Sequence, residues 1–559
     1  MSGDAPPAPW VTALLALIAY MIFRFLSAAD FNAFAIWMFG GLAAYCGLAT
    51  LVGLYRIFDG ERLERFLKRP SGLHGRLDFP TAEDAEKLGL KFSNPDGNGI
   101  PVGGVADKII YADITGHGSI RSPTGGGKTE SFSALICFAL GGHRNIISTA
   151  KGAELAYLCG PYRKDVLGQQ VFYVDPWRQM QALGLPSHDF NPIGHLVRYA
   201  EQRSPELLSK ARESVSILLP LPEGGGGDNR IFTTQAQSWL SDAVAYAAIC
   251  EADTGELCAN LPYLFKVLCG SNDDLQSFLL DMRRCDLYEG SFRRAADRIL
   301  GKMQRAAKTA ESILTTVQDA LQIFDPAGPL GKNTEFSDFD ASDLKNPEKP
   351  TSVFIVIPPE KSTTYGSFAG LCLNSLIDTC IEADRFEPRV TVVADEFANI
   401  AGEGKLPAIL PTLYVGRSRG VQLITFVQEV DSYSRYGAEA SAFTSQSEIL
   451  VAWNIKNTKD AKEYSERSGL RSVVGEQVST SLRDADGKYS ISLSEQSVPY
   501  IRPDEFMQLP DFTGVLFFRQ HPPLKIDLVS YRAVEPWRSY AKPMPGAPPL
   551  KDIPVKYRA

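Results

Sequence analysis

A glycine-rich loop that ends in Lys-Thr, within residues 120–132 ("IRSPTGGGKTESF"), restricts most strongly what this chain can fold into. It is close to the pattern Gly-x-x-x-x-Gly-Lys-Ser/Thr, with Ser122 in place of the first glycine. The apolar run "GSI" precedes the loop, and the helical pattern "ESFSALICFAL" follows it. Because a loop between a strand and a helix N-terminus turns backbone N–H groups towards an anion, the segment predicts a phosphate-binding loop.

The residue types of this loop suit a nucleotide with its metal ion. The predicted phosphate cradle consists of Thr124, Gly125, Gly126 and Gly127. Lys128 can reach the β- and γ-phosphates, and Thr129 can give its hydroxyl to Mg²⁺. The loop therefore predicts binding of ATP and Mg²⁺. The alternative is a glycine-rich turn that holds Lys-Thr by chance.

An acidic pair ends the apolar run "VTVVADEF". Asp395 and Glu396 would lie at the carboxyl end of a buried strand, the edge of an α/β sheet where ligands bind. We expect Asp395 to hold Mg²⁺, directly or through water, and Glu396 to polarise the attacking water. The alternative is a helix N-cap beside a solvated carboxylate. Together with the loop, the pair predicts an ATPase.

Short β-rich runs alternate with helical patterns from about residue 105, which is typical of βαβ units in a parallel sheet. The strand candidates are "KIIYADI", "RNIISTA", "QQVFYVDP", "TSVFIVIPP", "RVTVVADEF", "VQLITFVQ" and "SEILVAWN". Between Asn191 and about Phe324 only helical periodicity remains, apart from a flexible loop expected at 222–230. The helical segments are "SPELLSKARESVSILL", "TTQAQSWLSDAVAYAAICEA", "DDLQSFLLDMRRC" and "RRAADRILGKMQRAAKTAESILTTVQDALQ". The pattern predicts an α/β fold with an inserted all-α domain.

Two apolar runs at the N-terminus, 10–29 and 31–55, are each long enough to cross a ~30 Å hydrocarbon core as a helix. The basic segment "RIFDGERLERFLKRP" follows them and favours the cytoplasmic side. We predict two transmembrane helices, with both termini and all of the chain after residue 55 in the cytoplasm. A signal peptide is one alternative, although "MSGDAPPAP" carries no Lys or Arg. Buried helices of a soluble protein are the other.

Charge and cysteine content narrow the possible functions. The net charge of −8 argues against unspecific coating of DNA and leaves a local basic channel possible. The 9 cysteines form no Cys-x-x-Cys pair, and with 6 histidines they show no metal-ligand spacing. We expect reduced thiols in a cytosolic domain.

These patterns divide the chain into consecutive parts. They are a short cytosolic N-terminus (1–9), two transmembrane helices (10–55), a basic membrane-proximal linker that leads into the nucleotide domain (56–104), a nucleotide-binding domain (105–192 and 325–535), an all-α insertion domain (193–324) and a Pro-rich tail (536–559). The composition of its last stretch, "YAKPMPGAPPLKDIPVKYRA" (540–559), predicts disorder.

Several motifs in consistent order resemble the type IV coupling proteins, the membrane-anchored ATPases of bacterial conjugation and type IV secretion. The motifs are "SPTGGGKT", "QVFYVDP" followed by "DFNPIG", "VVADEFANI", "VQLITFVQEVDSYSRYG" and "IRPDEFMQLP". The resemblance implies a RecA-like P-loop NTPase domain that assembles into a homo-hexamer. It also implies that Gln428 contacts the γ-phosphate region and that Arg417 acts as an arginine finger on the neighbouring subunit, with Arg419 as the alternative. One departure is Thr149, in "STAKGAE", where relatives often carry Asp.

The resemblance implies a function at the bacterial inner membrane. The protein would receive a relaxase attached to single-stranded DNA, effector proteins, or both, and use ATP hydrolysis to deliver them to the proteins of a type IV secretion channel. One rival is a DNA-only translocase related to the pumps that move chromosomes at division. Another is a receptor for secretion substrates in which ATP binding serves assembly alone. A water-activating Glu396 argues against the second rival.

Overall fold

The computed structural model describes residues 17–22, 24, 25, 37, 38, 40–48, 50, 82–222, 228–400, 404–480, 489–546 and 556–559. Much of the two predicted membrane helices, and all of the basic segment that follows them, lie outside the described residues. Among the residues that are described, no helix is both long enough and apolar enough to cross a membrane. The two transmembrane helices therefore stay a prediction.

The strands are numbered in chain order. They are β1 (Ile100–Val105), β2 (Lys108–Ala112), β3 (His117–Arg121), β4 (Asn145–Lys151), β5 (Gln170–Val174), β6 (Thr351–Ile357), β7 (Val390–Ala394), β8 (Val421–Val427), β9 (Ser447–Ala452), β10 (Leu470–Thr480), β11 (Tyr489–Pro499), β12 (Thr513–Phe518), β13 (Leu524–Asp527), β14 (Val534–Glu535) and β15 (Tyr557–Arg558). All the strand candidates of the sequence are among them, as β2 and β4 to β9.

One mixed sheet of 11 strands has the order β2-β1-β13-β12-β9-β3-β8-β7-β4-β6-β5. From β9 to β5 all neighbours are parallel. The strands β12, β13, β1 and β2 continue it as antiparallel neighbours. Every residue of β6, β7 and β8 is buried, because helices cover both faces of the parallel part. The parallel order brings the carboxyl ends of β3, β8, β7 and β4 to one edge.

Helices flank this sheet in two hydrophobic cores. They span Ala82–Lys87, Ala134–Ala139, Glu154–Asp165, Gln179–Ala182, Leu196–Glu201, Leu207–Leu218, Asp228–Thr254, Leu261–Leu268, Asn272–Arg284, Leu287–Arg305, Ala307–Leu321, Pro329–Asn333, Ser362–Glu382, Ile409–Val415, Ala442–Ser445, Thr458–Arg467, Pro503–Met507 and Trp537–Tyr540. The helices Ala134–Ala139 and Glu154–Asp165 pack in one core, and Ser362–Glu382 packs in the other. The alternation of strands and helices agrees with the predicted α/β fold.

The described residues between β5 and β6 contain helices and no further named strand, as the sequence predicts. The last predicted helical segment is divided in two at Ala306, whose backbone (φ −143°, ψ 56°) is not helical. The loop expected at 222–230 is shorter than predicted, since a helix already begins at Asp228. Residues 223–227 lie outside the described part of the chain. The boundaries 193–324 of the insertion domain stay a prediction.

The prediction of a disordered stretch at 540–559 is wrong for those of its residues that are described. Tyr557 is buried, and just ahead of this stretch Trp537 is buried and its ring stacks on Phe138 at a centroid distance of 6.3 Å. Strand β15 pairs in parallel with β14, with Tyr557 opposite Val534. The proline content suggested disorder, but the tail also carries aromatic side chains whose burial favours a fixed position.

Strands β10 and β11 form a separate two-stranded antiparallel ribbon, which belongs to a different compact unit from the 11-stranded sheet. Their register runs from Leu470 opposite Pro499 to Thr480 opposite Tyr489. The residues that join the two strands, 481–488, are outside the described part. This ribbon was not expected from the sequence.

Candidate functional site

The glycine-rich loop connects β3 to a helix, as its sequence predicts. Thr129–Ser133 form a π-helical turn that continues directly into the α-helix Ala134–Ala139. Gly125 (φ +79°) and Gly127 (φ +77°) have left-handed backbones that favour glycine. A Cβ atom on Gly126 would lie 2.1 Å from Oγ of Ser122, so the loop is too tight for a side chain there. The glycines therefore leave a concave backbone surface of the kind that phosphates occupy.

Lys128 lies inside this loop with its side chain almost fully buried. Its Nζ donates hydrogen bonds to the carbonyl oxygens of Ser122 (2.5 Å) and Pro123 (3.2 Å). Ser122 is in turn anchored to the neighbouring strand, since its N–H donates to the Val427 carbonyl (3.1 Å). The ammonium group is thus held at the centre of the loop, where an anion can approach it.

Asp395 directly follows β7 and faces the start of the loop helix. Thr129 Oγ1 donates to Asp395 Oδ2 over 3.3 Å. Burial and the neighbouring carboxylate of Glu396 raise the pKa of Asp395 to about 6, although Lys128 opposes the shift. A buried carboxylate beside a hydroxyl and a second carboxylate is a hard-oxygen donor set that a divalent cation satisfies. The residues present therefore fit Mg²⁺.

Glu396 has a left-handed backbone (φ +49°, ψ 46°), which is strained for a residue with a side chain. Its N–H donates to Asp395 Oδ1 (3.1 Å), and its Oε2 accepts a hydrogen bond from Asn399 Nδ2 (3.1 Å). Strained backbones of this kind cluster at functional sites.

The loop and the acidic pair line one cavity of about 350 Å³. Its lining residues are Thr124, Gly125, Gly126, Gly127, Lys128, Thr129, Glu130, Glu154, Leu155, Asp395 and Glu396. The structure therefore brings together the predicted phosphate cradle, Lys128, Thr129 and both carboxylates. This volume is in the range of small-molecule sites.

Gln428 is the first residue after β8, which pairs in parallel with β3 so that Val427 lies opposite Arg121. Its side chain is exposed at the same edge of the sheet as the loop. It is not among the residues that line the cavity.

Arg417 and Arg419 lie at the opposite, amino-terminal end of β8. A strand of this length spans roughly 20 Å, so neither arginine meets the loop of its own chain. Arg419 forms an ion pair with Asp384. The Arg417 side chain is exposed.

Trp453, the first residue after β9, was not expected at the site from the sequence. Its Nε1 donates to the Gly126 carbonyl (2.7 Å), and its ring lies 5.1 Å from that of Phe132. Glu130, which lines the cavity and accepts a hydrogen bond from Ser530 near the C-terminus, was likewise not expected there. The only available signal was the position of the tryptophan at the end of the strand candidate "SEILVAWN".

The known proteins that are similar to this chain in sequence agree in the type of system to which they belong. A family model for "Type IV secretory system Conjugative DNA transfer" matches residues 83–538. The conjugal transfer protein TraG of Escherichia coli is 24% identical over 441 residues, which cover 74% of this chain and 66% of TraG. The type IV secretion system-coupling protein VirD4 of Bartonella quintana (strain Toulouse) is 24% identical over 422 residues, which cover 73% of this chain and 61% of VirD4. The chain thus spans about two thirds of the length of these relatives.

Solved structures of the plasmid coupling protein TrwB have a similar fold. TrwB in complex with the non-hydrolysable ATP analogue ADPNP superposes with a TM-score of 0.56 at 14% identity, over 81% of this chain and 93% of TrwB. TrwB in complex with ADP and Mg²⁺ gives a TM-score of 0.56 at 14% identity, over 82% of this chain and 96% of TrwB. The α/β fold therefore resembles that of the TrwB structures. Because the family model covers most of its length, the chain belongs to the type IV secretion coupling proteins of conjugative DNA transfer.

Proposed function

We propose that this protein is an inner-membrane coupling ATPase that recruits relaxase-bound single-stranded DNA, effector proteins, or both, and delivers them to a type IV secretion channel. One observation carries the ATPase part of this proposal. Two separate segments of the chain line one cavity around a glycine cradle: one contributes Lys128 and Thr129, and the other contributes Asp395 and Glu396. The similarity to TraG, a conjugal transfer protein, and to VirD4, a type IV secretion system-coupling protein, supports the transport part.

The residues of the cavity divide the chemistry between them. The loop backbone and Lys128 bind the β- and γ-phosphates of ATP. Thr129 and Asp395 would hold Mg²⁺, which neutralises the charge that develops on the phosphates. Glu396 accepts a proton from the water that attacks the γ-phosphorus, and Gln428 at the same sheet edge orients this water.

In a ring of identical subunits, six in the family to which this chain belongs, a neighbouring subunit would supply an arginine to each ATP site. Arg417 lies at the far end of β8 from the loop of its own chain, so we propose that it serves the site of the neighbouring subunit. There it would stabilise the charge of the transition state. Its exposure and the ion pair of Arg419 with Asp384 favour Arg417 over Arg419.

The proposed location is the bacterial inner membrane. The two apolar runs before residue 56 would anchor the chain, with both termini and the nucleotide domain on the cytoplasmic side. Single-stranded DNA would be held by Lys and Arg side chains near the axis of the ring.

The test is ATP hydrolysis by the solubilised full-length protein with and without single-stranded DNA. Lys128→Ala and Glu396→Gln serve as controls. Turnover that DNA stimulates and that both substitutions abolish supports a DNA-handling motor. Turnover that is indifferent to DNA, but lost in both variants, favours delivery of proteins. ATP binding without turnover in the assembled ring contradicts the motor and favours a receptor in which ATP serves assembly.

A further inference from the structure

A second, smaller cavity adjoins the acidic pair. It has a volume of about 40 Å³. Its lining residues are Thr149, Ile355, Ile357, Ser362, Gly366, Ala369, Asp395, Glu396, Asn399 and Ile400. Asp395 and Glu396 line both this cavity and the larger one that contains the glycine-rich loop. The two carboxylates therefore have a second set of neighbouring residues, which have no role in the proposed ATPase mechanism.

Thr149 supplies the buried hydroxyl of this small cavity. It lies in β4 opposite Ala394 of β7, and its carbonyl oxygen accepts a hydrogen bond from the Asp395 N–H (3.2 Å). Only 4% of Thr149 is exposed, and its Oγ1 has no hydrogen-bond partner among the described residues. Because an unpaired buried hydroxyl is unfavourable, this atom requires a partner that the described residues do not provide.

The cavity has the space and the polar groups for a water molecule. A buried water needs about 10–15 Å³ of such volume and two to four polar partners. Besides Thr149 Oγ1, the lining offers the carboxylates and the hydroxyl of Ser362, which donates to Pro359 O (2.8 Å) and can still accept. A water here can link the Thr149 hydroxyl to the acidic pair.

Asn399 contacts the Glu396 carboxylate directly. Its Nδ2 donates to Glu396 Oε2 (3.1 Å), and its backbone N–H donates to the Glu396 carbonyl (2.8 Å). The turn Phe397–Asn399 therefore fixes both the backbone and one carboxylate oxygen of Glu396.

We propose that Thr149, through a water in the small cavity, and Asn399, by its direct hydrogen bond, are positioning residues for Glu396. They hold the carboxylate in the orientation in which it accepts a proton from the attacking water. Neither residue lines the larger cavity that contains the glycine-rich loop, so we expect their loss to lower turnover and leave ATP binding intact. This inference rests on the proposed ATPase function.

The decisive variant is Thr149→Val, which keeps the shape of the side chain and removes the hydroxyl. We expect its turnover to fall about tenfold while the Kd for ATP stays within about twofold of the wild type. Thr149→Ser restores the hydroxyl and should recover most of the turnover. Thr379→Val is the matched control, because Thr379 Oγ1 is also buried without a partner but does not line the cavity.

Thermal unfolding gives a second readout that is independent of hydrolysis. If the cavity holds a water bound to Thr149, Thr149→Val lowers the unfolding midpoint, because the water loses a partner. If the hydroxyl is truly unpaired, its removal raises the midpoint, as we expect for Thr379→Val. A raised midpoint for Thr149→Val would overturn the role of the water.

Asn399→Ala tests the direct contact. We expect turnover to fall with unchanged ATP affinity, whereas a rise in turnover would show that Asn399 restrains Glu396 and would overturn the inference. If the wild type hydrolyses ATP and both Thr149→Val and Asn399→Ala show normal turnover, the inference is overturned and the proposed function is not. Absence of hydrolysis in the wild type, with or without DNA, would overturn the proposed function and the inference with it.

Discussion

The indole Nε1 of Trp453 donates a 2.7 Å hydrogen bond to the carbonyl oxygen of Gly126, 327 residues away in the sequence. Trp453 follows β9, which pairs with β3 on the side opposite to β8. The loop is therefore fixed from both sides, since the Ser122 N–H donates to the carbonyl of Val427 in β8. Such a framework keeps the cradle in one shape before a ligand arrives, which reduces the entropy lost on binding.

Trp453→Phe tests this framework. Phenylalanine keeps an aromatic ring beside Phe132 but cannot donate to Gly126. We expect ATP to bind about fivefold more weakly, which corresponds to the ~1 kcal/mol of one hydrogen bond. The measurement is titration of a fluorescent ATP analogue. Trp177→Phe is the control, because the Trp177 indole nitrogen is buried without a hydrogen-bond partner in the described structure, and it should leave the affinity unchanged.

Gly126→Ala tests the tightness of the cradle. The new Cβ would lie 2.1 Å from Ser122 Oγ and 3.1 Å from the Pro123 carbonyl oxygen, so Ser122 or the loop backbone must move and the cradle is distorted. We expect the affinity for ATP to fall at least ~100-fold. Ser122 Oγ has no partner among the described residues, so Ser122→Ala alone should change little. The double variant should recover part of the affinity, because it removes the closest clash. Equal affinity of Gly126→Ala and the wild type would contradict the rigid cradle.

The sequence was sufficient to predict those parts of the site that depend on local motifs and on the rule that the carboxyl ends of parallel strands lie at one edge of the sheet. Lys128 and Asp395 could be expected to meet because the loop follows the apolar run "GSI" and the acidic pair ends the strand candidate "RVTVVADEF". The contact of Trp453 with Gly126 could not, since it depends on β9 lying next to β3, and no local signal determines strand order. Likewise, Glu130 meets Ser530 only because the antiparallel strands β12 and β13 bring the C-terminal segment back to the loop.

Burial of the C-terminal tail was missed for a different reason. The composition of a Pro-rich segment gives only its average content of residue types, whereas burial depends on individual side chains. Tyr557 packs against Gly104, where a Cβ would come within 3.2 Å of its ring. A glycine in β1 and a tyrosine in the tail thus fit each other, and this complementarity is visible only in three dimensions.

Mixed oligomers test whether Arg417 acts on the neighbouring subunit. Arg417→Ala subunits keep an intact loop, and Lys128→Ala subunits keep an intact Arg417. Each variant alone should lose turnover. In rings assembled at random from equal amounts of the two variants, roughly a quarter of the interfaces pair an intact loop with an intact Arg417 and should hydrolyse ATP. The measurement is turnover of the mixture.

The control mixture combines Lys128→Ala with Glu396→Gln. Both substitutions damage the site of their own subunit, so no interface regains function and turnover should stay absent. Arg419→Ala should keep turnover within about twofold of the wild type, because its side chain is already engaged by Asp384. Failure of the Arg417 mixture to recover, although mixed rings form, would contradict a role in trans.

His117 makes the stability of the nucleotide domain depend on pH. The side chain is buried in β3, and its Nδ1 accepts a hydrogen bond from the Leu423 N–H (3.0 Å), which requires an unprotonated nitrogen. Burial lowers the pKa of His117 from its ordinary 6.5 to about 4. Between these values the unfolded chain binds more protons than the folded one, so the free energy of unfolding decreases as the pH falls through this range. At pH 5 we expect the loss to be about 2 kcal/mol relative to pH 7.5.

Denaturant unfolding of the wild type and of His117→Asn, followed at pH 7.5, 6 and 5, measures this loss. The amide oxygen of asparagine, bonded to Cγ as Nδ1 is, can accept the same hydrogen bond but does not titrate. The variant should therefore be less sensitive to acid by about 2 kcal/mol, although side-chain packing can shift its stability at every pH by a constant amount. Parallel pH profiles for the two proteins would contradict this assignment, because another group would then have to account for any loss of stability in acid.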